Sequence, residues 1–225
     1  MSDDKKSHGH VYKYKSYDEY KKEQQGAASR KWGNSFVDPN SLKKLVLSYI
    51  SDNFNIKPKL ILCHGTRRGE EQKVFLDFYS KDNDDLQVIG TEIMSGVEDR
   101  LIKEKQPGAN HTITWDFHDV KDEWINNVDI IYSNSFDHSW KPEECLDTWM
   151  SCLNKTGLCI IEYDDICDGG LGGSVDCFGA TLEEYKQLIS KKYDIVDILK
   201  NDNIKDKSVS HRGDGKRNYI IIRNK

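Results

Sequence analysis

Four short runs of this 225-residue chain place glycine and polar residues where apolar, strand-like segments end. In the first, Leu60-Ile61-Leu62 empties into Cys63-His64-Gly65-Thr66-Arg67-Arg68-Gly69-Glu70. Glycines at such a turn let the backbone bend sharply and approach a ligand more closely than a Cβ allows, although many α/β turns need them for steric reasons alone. In the second, Val88-Ile89-Gly90-Thr91 ends on Glu92. A carboxylate there can accept both hydroxyls of a ribose; the alternative is a solvated strand-end acid. In the third, Ile113-Thr114-Trp115 ends on Asp116-Phe117-His118-Asp119. Asp116 there can accept from an adenine amino group while Phe117 flanks the ring, or it can cap a turn with Phe117 in the core.

The fourth run, Asp129-Ile130-Ile131-Tyr132, opens into the polar loop Ser133-Asn134-Ser135-Phe136-Asp137-His138-Ser139-Trp140. Asn134, Asp137 and His138 are its reactive candidates. A histidine titrates near neutral pH and can take a proton from an attacking hydroxyl or amine, oriented by Asp137 or another carboxylate. Polar residues of such loops also serve simply to shape them through bonds to the backbone. Beyond a fifth apolar run lie Glu162-Tyr163-Asp164-Asp165 and a glycine-rich stretch, 169–180. Asp165 and Asp176 are candidate substrate contacts there. No GK[ST] follows the glycines, which excludes a phosphate-binding P-loop, and two separated carboxylates assign no metal ligand set.

The elements that must position these runs are legible in the hydrophobic period. Residues 1–15 are polar and without period, and are expected to be a mobile tail. Residues 16–37 read as an N-terminal helix and lid, with Ser16 and Glu19 forming a capping box and the helix spanning 16–25. Asp38 and Pro39 start a helix whose apolar face is Leu42, Leu45, Val46, Tyr49 and Ile50. Strand-like runs at 59–63, 86–91, 112–115, 128–132 and 157–163 alternate with helical patterns at 70–79, 97–105, 142–153 and 182–191. Two final strand-like segments, 195–200 and 218–222, read as an antiparallel pair. The expectation is one α/β domain over 38–225: a Rossmann-like, seven-stranded, mostly parallel sheet with an antiparallel last strand and helices on both faces.

Taken together, LCHGTRRGEE, DFHD, SNSFDHSWKPEECLDTWMSCL and DCFGATLEEY resemble the class I S-adenosylmethionine-dependent methyltransferases over 38–225. The resemblance implies S-adenosyl-L-methionine as cofactor. It implies that the loop from Cys63 and His64 through Gly65, Arg67 and Gly69 lines the methionine site, and that Glu92 holds the ribose. Asp116 and Phe117 would frame adenine, with Asn134, Asp137 and His138 near the reaction centre. Cys63 stands where the family carries an acid and Arg67 where it carries a glycine; Arg67 or Arg68 would then meet the methionine carboxylate. The implied reaction is methyl transfer to a hydroxyl of a small molecule or sugar. RNA or protein methylation and a non-catalytic cofactor-binding relative are the alternatives. An NAD-dependent oxidoreductase is disfavoured because no G-x-G-x-x-G is present.

Composition narrows the partners. Charged residues make up 32% of the chain and hydrophobic ones 36%, enough for a core, and the net charge of -5 gives no basic footprint for nucleic acid. A local cluster of Lys13, Lys15, Lys21, Lys22, Arg30 and Lys31 is either an RNA-facing patch or a solvated helix face. The chain has no membrane-length apolar run, and Met1 to Lys15 carries no secretory apolar segment; a cytoplasmic protein, free to form oligomers, is expected. The six cysteines include no CxxC pair and are expected as reduced thiols.

Overall fold

The computed structural model describes residues 9–164, 173–201 and 217–225. The chain opens with strand β1 (His10–Val11) and helix α1 (Tyr17–Arg30). Ser16 caps α1 by accepting from the Glu19 backbone N–H, and the helix runs five residues beyond its expected end. Asp38 caps α2 (Pro39–Ser41), accepting from the backbone of Asn40 and Ser41. The helix continues as a π-helical stretch, Leu42–Leu47, into α3 (Ser48–Asn53). The inserted residue of the π turn rotates the buried face. Leu42, Val46, Leu47 and Ile50 are fully buried, whereas Leu45 and Tyr49, expected on that face, only pack at its margin.

The remaining elements follow in order: β2 (Leu60–His64), α4 (Glu70–Tyr79), β3 (Gln87–Glu92), α5 (Val97–Lys103), β4 (Thr112–Thr114), β5 (Val128–Ser133), α6 (Pro142–Cys152), β6 (Leu153–Asp164), β7 (Phe178–Gly179), α7 (Leu182–Ser190), β8 (Asp194–Asn201) and β9 (Arg217–Arg223). Seven of the strands form one sheet in the order β4-β3-β2-β5-β6-β9-β8. β2, β3, β4, β5 and β6 pair in parallel, and β9 pairs antiparallel with both β6 and β8. This is the expected architecture, and the connection between β8 and β9 lies outside the described residues.

Strands buried on both faces explain the continuous apolar runs. Leu62, Ile131, Cys159, Ile161, Ile220 and Ile222 face α6 and α7. Ile61, Cys63, Ile130, Tyr132, Ile160 and Ile221 face α2, α3 and α4. Cys63, Cys145, Cys152, Cys159 and Cys177 are free and buried, as expected; Cys167 lies outside the described residues.

Residues 9–15 depart from the expected mobile tail. β1 pairs antiparallel with β7, the Tyr12 N–H donates to the Cys177 carbonyl, and the Tyr14 hydroxyl donates to the Ser174 carbonyl at 2.5 Å. A two-residue strand carries no readable period, so its partner is set only by distant chain. Among the described residues, no helix is long and apolar enough to cross a membrane.

The turn into α4 depends on Gly69, which has φ +83° and stands against Gly108, where a Cβ would lie 2.4 Å from the Gly108 Cα. Gly69→Ala therefore meets both a left-handed backbone and a backbone clash, and is expected to cost about 2 kcal/mol or more in a urea unfolding titration.

Candidate active site

The strand order reverses between β2 and β5, with β3 and β4 to one side and β6 to the other, so the loops above their carboxyl ends border a crevice. Two cavities lie there. The larger, about 200 Å³, is walled by residues including Lys31, Asn134, Asp137, His138, Asp164 and Asp176. The smaller, about 50 Å³, is walled by Tyr20, Ala27, Glu92, Ile93, Asp116 and Phe117, among others. Lys31, Gly65, Arg67, Ser135 and His138 border both, making one continuous site.

β2 delivers Gly65 at φ +73°, where a Cβ would lie 2.6 Å from the Ser135 Cβ, so the Ser135 side chain packs on the bare Gly65 backbone. Arg67 follows, also with positive φ. Its N–H donates to Glu92 Oε2 at 3.0 Å while the Met94 N–H donates to Glu92 Oε1 at 3.2 Å. Glu92 is buried; burial raises its pKa against the pull of Arg67 and those two N–H groups. The Arg67 guanidinium donates to the carbonyls of Lys31 and Asn34 and stacks on Phe36. It is thus committed to the segment after α1. Arg68 pairs with Glu70 at 2.5 Å. These bonds run to the chain's own carbonyls and to Glu70, while Arg67, one of the two expected to meet the methionine carboxylate, borders both cavities.

Asp116 ends the third arm of the site. Its Oδ1 accepts from the His118 N–H and faces His118 Nδ1 at 2.7 Å, and its Oδ2 accepts from the Tyr17 hydroxyl at 2.9 Å. Burial pushes this carboxyl up, but the bonds from His118 and Tyr17 outweigh it and hold the group below its ordinary value. Phe117 is buried beside it.

On the 3₁₀ turn Phe136–His138, Asp137 is buried and His138 half-buried. Gln24 of α1 donates through Nε2 to the Val175 carbonyl at 2.8 Å, so its Oε1 is the atom facing His138 Nδ1 at 2.9 Å. His138 must therefore donate from Nδ1, and Nε2 is turned toward Asp176 Oδ1 at 3.6 Å and Asp137 Oδ1 at 3.9 Å. Gln24 thus orients His138 through Nδ1, a partner not expected from the sequence, while the carboxylates expected to orient it, Asp137 or another, here Asp176, face Nε2. Burial raises the Asp137 pKa, with His138 opposing.

The crevice thus brings together Gly65, Arg67, Glu92, Asp116, Phe117, Asn134, Asp137, His138 and Asp176. Gly69 turns the chain into α4 behind it. Cys63 and His64, expected in the cofactor loop, are core side chains instead: Cys63 packs under α4, and His64 bonds Thr91 through Nδ1 and stacks on Trp149. In a strand buried on both faces neither alternating position reaches the crevice. Asp165 lies outside the described residues. Of the basic cluster on 13–31, Lys31 lines the site and pairs with Asp176 at 3.3 Å, while Lys13, Lys15, Lys22 and Arg30 are exposed.

Two wall residues carried no signal in local spacing: Gln24 comes from α1, and Arg217 from β9 bonds Glu162 and the Phe36 carbonyl at 2.6 Å each. Tyr20, on the face of α1 that it shares with Tyr17, lines the smaller cavity, and Tyr17 bonds Asp116. Glu71, one residue into α4, lines the larger cavity; it is 1% exposed and its Oε2 has no partner.

No family model matches the sequence and no curated protein matches it. Solved structures do match the fold. A TehB-like SAM-dependent methyltransferase from Corynebacterium glutamicum is 13% identical, with a TM-score of 0.54 over 89% of this chain and 98% of that one. The 1,6-didemethyltoxoflavin-N1-methyltransferase of Burkholderia thailandensis, with bound 1,6-didemethyltoxoflavin and S-adenosylhomocysteine, is 11% identical, with a TM-score of 0.65 over 97% and 99%. A geranyl diphosphate C-methyltransferase from Streptomyces coelicolor, in complex with Mg²⁺, geranyl diphosphate and S-adenosyl-L-homocysteine, is 10% identical, with a TM-score of 0.59 over 90% and 98%.

Burial lowers the His64 pKa from 6.5 to about 3, with His118 adding to the effect. A base depressed in the folded state leaves stability intact above about pH 6.5 and withdraws it as pH falls toward 3, at up to about 1.4 kcal/mol per unit. The thermal midpoint is expected to fall between pH 7 and pH 5, and His64→Gln to flatten that slope. Parallel slopes in the two proteins would show that His64 does not titrate with unfolding.

Proposed function

We propose, for a chain with the fold of the class I S-adenosylmethionine-dependent methyltransferases, that it binds S-adenosyl-L-methionine and transfers its methyl group to a hydroxyl of a small molecule or sugar. The observation that carries this reading is the convergence of Glu92, Asp116 and His138 on one continuous crevice at the point where the sheet order reverses.

The walls fit the cofactor in parts. Glu92 is fixed by two backbone N–H groups and keeps acceptor capacity for the ribose hydroxyls. Ile93 and Phe117 are apolar faces for the adenine, and Asp116 is the acceptor for its amino group. Cys63 cannot serve the cofactor ammonium from the core, but the unpartnered Oε2 of Glu71 can. When bound, the cofactor supplies an electrophilic methyl group on a sulfonium.

The larger cavity takes the acceptor. Asn134, Asp164 and Asp176 offer it acceptors and donors at the rim, and a polyhydroxyl molecule matches that lining. With Nδ1 bound to Gln24, the Nε2 lone pair of His138 is the group that takes the acceptor's proton. Transfer itself is a matter of alignment, which α1 secures by covering the crevice and excluding water.

The test is calorimetric titration with S-adenosylmethionine, S-adenosylhomocysteine and NAD. The first two are expected to bind and NAD is not; NAD binding alone would sink the reading. Glu92→Ala and Asp116→Ala should each weaken S-adenosylhomocysteine by about tenfold or more. His138→Ala should leave that affinity nearly unchanged and lower turnover on a hydroxylated acceptor by about 10²-fold or more.

A further inference from the structure

Behind Asp116 a line of side chains runs away from the crevice into the core. Asp116 Oδ1 stands 2.7 Å from His118 Nδ1, and His118 Nε2 stands 2.8 Å from the Ser139 Oγ. Ser139, on the segment between the 3₁₀ turn and α6, is fully buried, and its Oγ also accepts from the Lys141 N–H at 3.4 Å. The imidazole is held as well by the edge of the Tyr20 ring at 5.5 Å, and the His118 carbonyl accepts from the Thr148 hydroxyl at 3.2 Å. Carboxylate, imidazole and hydroxyl in this order are the groups of a nucleophilic triad, but Ser139 borders neither cavity of the crevice. The line therefore acts in the other direction, on Asp116.

The proton positions follow from the partners. A carboxylate only accepts, so His118 Nδ1 carries a hydrogen; the neutral ring then accepts at Nε2, and the Ser139 hydroxyl donates to it. Oδ1 of Asp116 takes both this Nδ1–H and the His118 backbone N–H, at 2.7 and 2.9 Å. Oδ2 is the oxygen left, and the group it holds is itself a donor, the Tyr17 hydroxyl at 2.9 Å. Burial pushes the carboxyl up, and the bonds from His118 and Tyr17 bring it below its ordinary value, so it stays ionised. A carboxylic acid could turn its own O–H toward a carbonyl. Asp116, ionised and with Oδ1 taken, offers the smaller cavity lone pairs alone.

We infer that His118 and Ser139 are positioning residues that make Asp116 a donor-selective reader of the nucleoside base, admitting a 6-aminopurine and rejecting a 6-oxopurine. This rests on the reading that the smaller cavity takes the nucleoside of the cofactor. Against an amino base, Oδ2 exchanges the Tyr17 O–H for an N–H and stays satisfied. Against an oxo base it meets a second oxygen, and two buried acceptors face each other with no hydrogen between them. Without the His118 bonds the carboxyl is free to rotate and to keep a proton, and either change relaxes the choice. Ser139 supports the working tautomer by donating to Nε2.

The experiment is calorimetric titration of the full chain with S-adenosylhomocysteine and with S-inosylhomocysteine, in which a 6-oxo group replaces the 6-amino group. The unmutated protein is expected to favour the adenosyl compound by about 10²-fold or more. His118→Leu should shrink that ratio by about tenfold or more, and Ser139→Ala by about threefold. His118→Asn, whose amide nitrogen reaches the place of Nδ1, should restore most of it. A role confined to holding the fold weakens both ligands alike and leaves the ratio unchanged. A second measurement needs no ligand and no loss of structure: long-range ¹H–¹⁵N spectra of the unmutated protein at about pH 8 should show His118 as the neutral Nδ1–H tautomer. A ratio near one in the unmutated protein, a ratio indifferent to His118→Leu and Ser139→Ala, or the Nε2–H tautomer overturns the inference and spares the methyltransferase reading. Failure of both compounds to bind the unmutated protein overturns that reading, and the base-reading role with it.

Discussion

Arg67 is held from two directions, and much of the site hangs on it. Its N–H is given to Glu92, which locks the turn after β2 to the end of β3, while its guanidinium is given to the carbonyls of Lys31 and Asn34. The first contact orients Glu92, the acid proposed to face a ribose. The second anchors the exit of α1, the helix that carries Tyr17, Tyr20 and Gln24 over the crevice. A glycine at this position, as the resembling family carries, supplies the turn but no such tie. Phe36 beneath the guanidinium adds a stacked face at 4.6 Å, so the partly buried side chain keeps favourable contacts.

The floor of the larger cavity is polar and buried, which needs compensation. Glu162 accepts from Arg217 at 2.6 Å and from the Tyr132 hydroxyl at 2.5 Å, and Arg217 also donates to the Phe36 carbonyl. Taking such an ion pair out of water costs several kcal/mol unless its remaining bonds are satisfied. Here the satisfaction comes from β5, β6, β9 and the segment after α1 together, so the reversed strand β9 takes part in the site as well as closing the sheet.

The strands, the cap at Asp38 and the strand-end residues Glu92, Asp116 and His138 were legible because they follow from local period and from the rule that parallel strands end at the ligand side. The π turn was not, since an inserted hydrogen-bond register has no compositional mark, and it moved Leu47 inward and Tyr49 outward. Pairing of β1 with β7 and the bond between Gln24 and His138 span well over a hundred residues, beyond any spacing argument. The side-chain placements of Cys63 and His64 were not legible for a simpler reason. Membership in a ligand loop fixes the backbone but not which way each side chain turns.

The Tyr17 hydroxyl occupies the same oxygen of Asp116 that an adenine amine would use. Tyr20, stacked at 5.5 Å on Trp140 from the loop after β5, fastens the same helix down. Under the proposed function, a nucleoside amine that takes this oxygen competes with the Tyr17 hydroxyl, and the cost of breaking that bond is subtracted from the binding constant of the intact chain. Under that function, exchange of spent for fresh cofactor meets this contact each time, so the strength of the Tyr17–Asp116 bond bears on turnover as well as on binding.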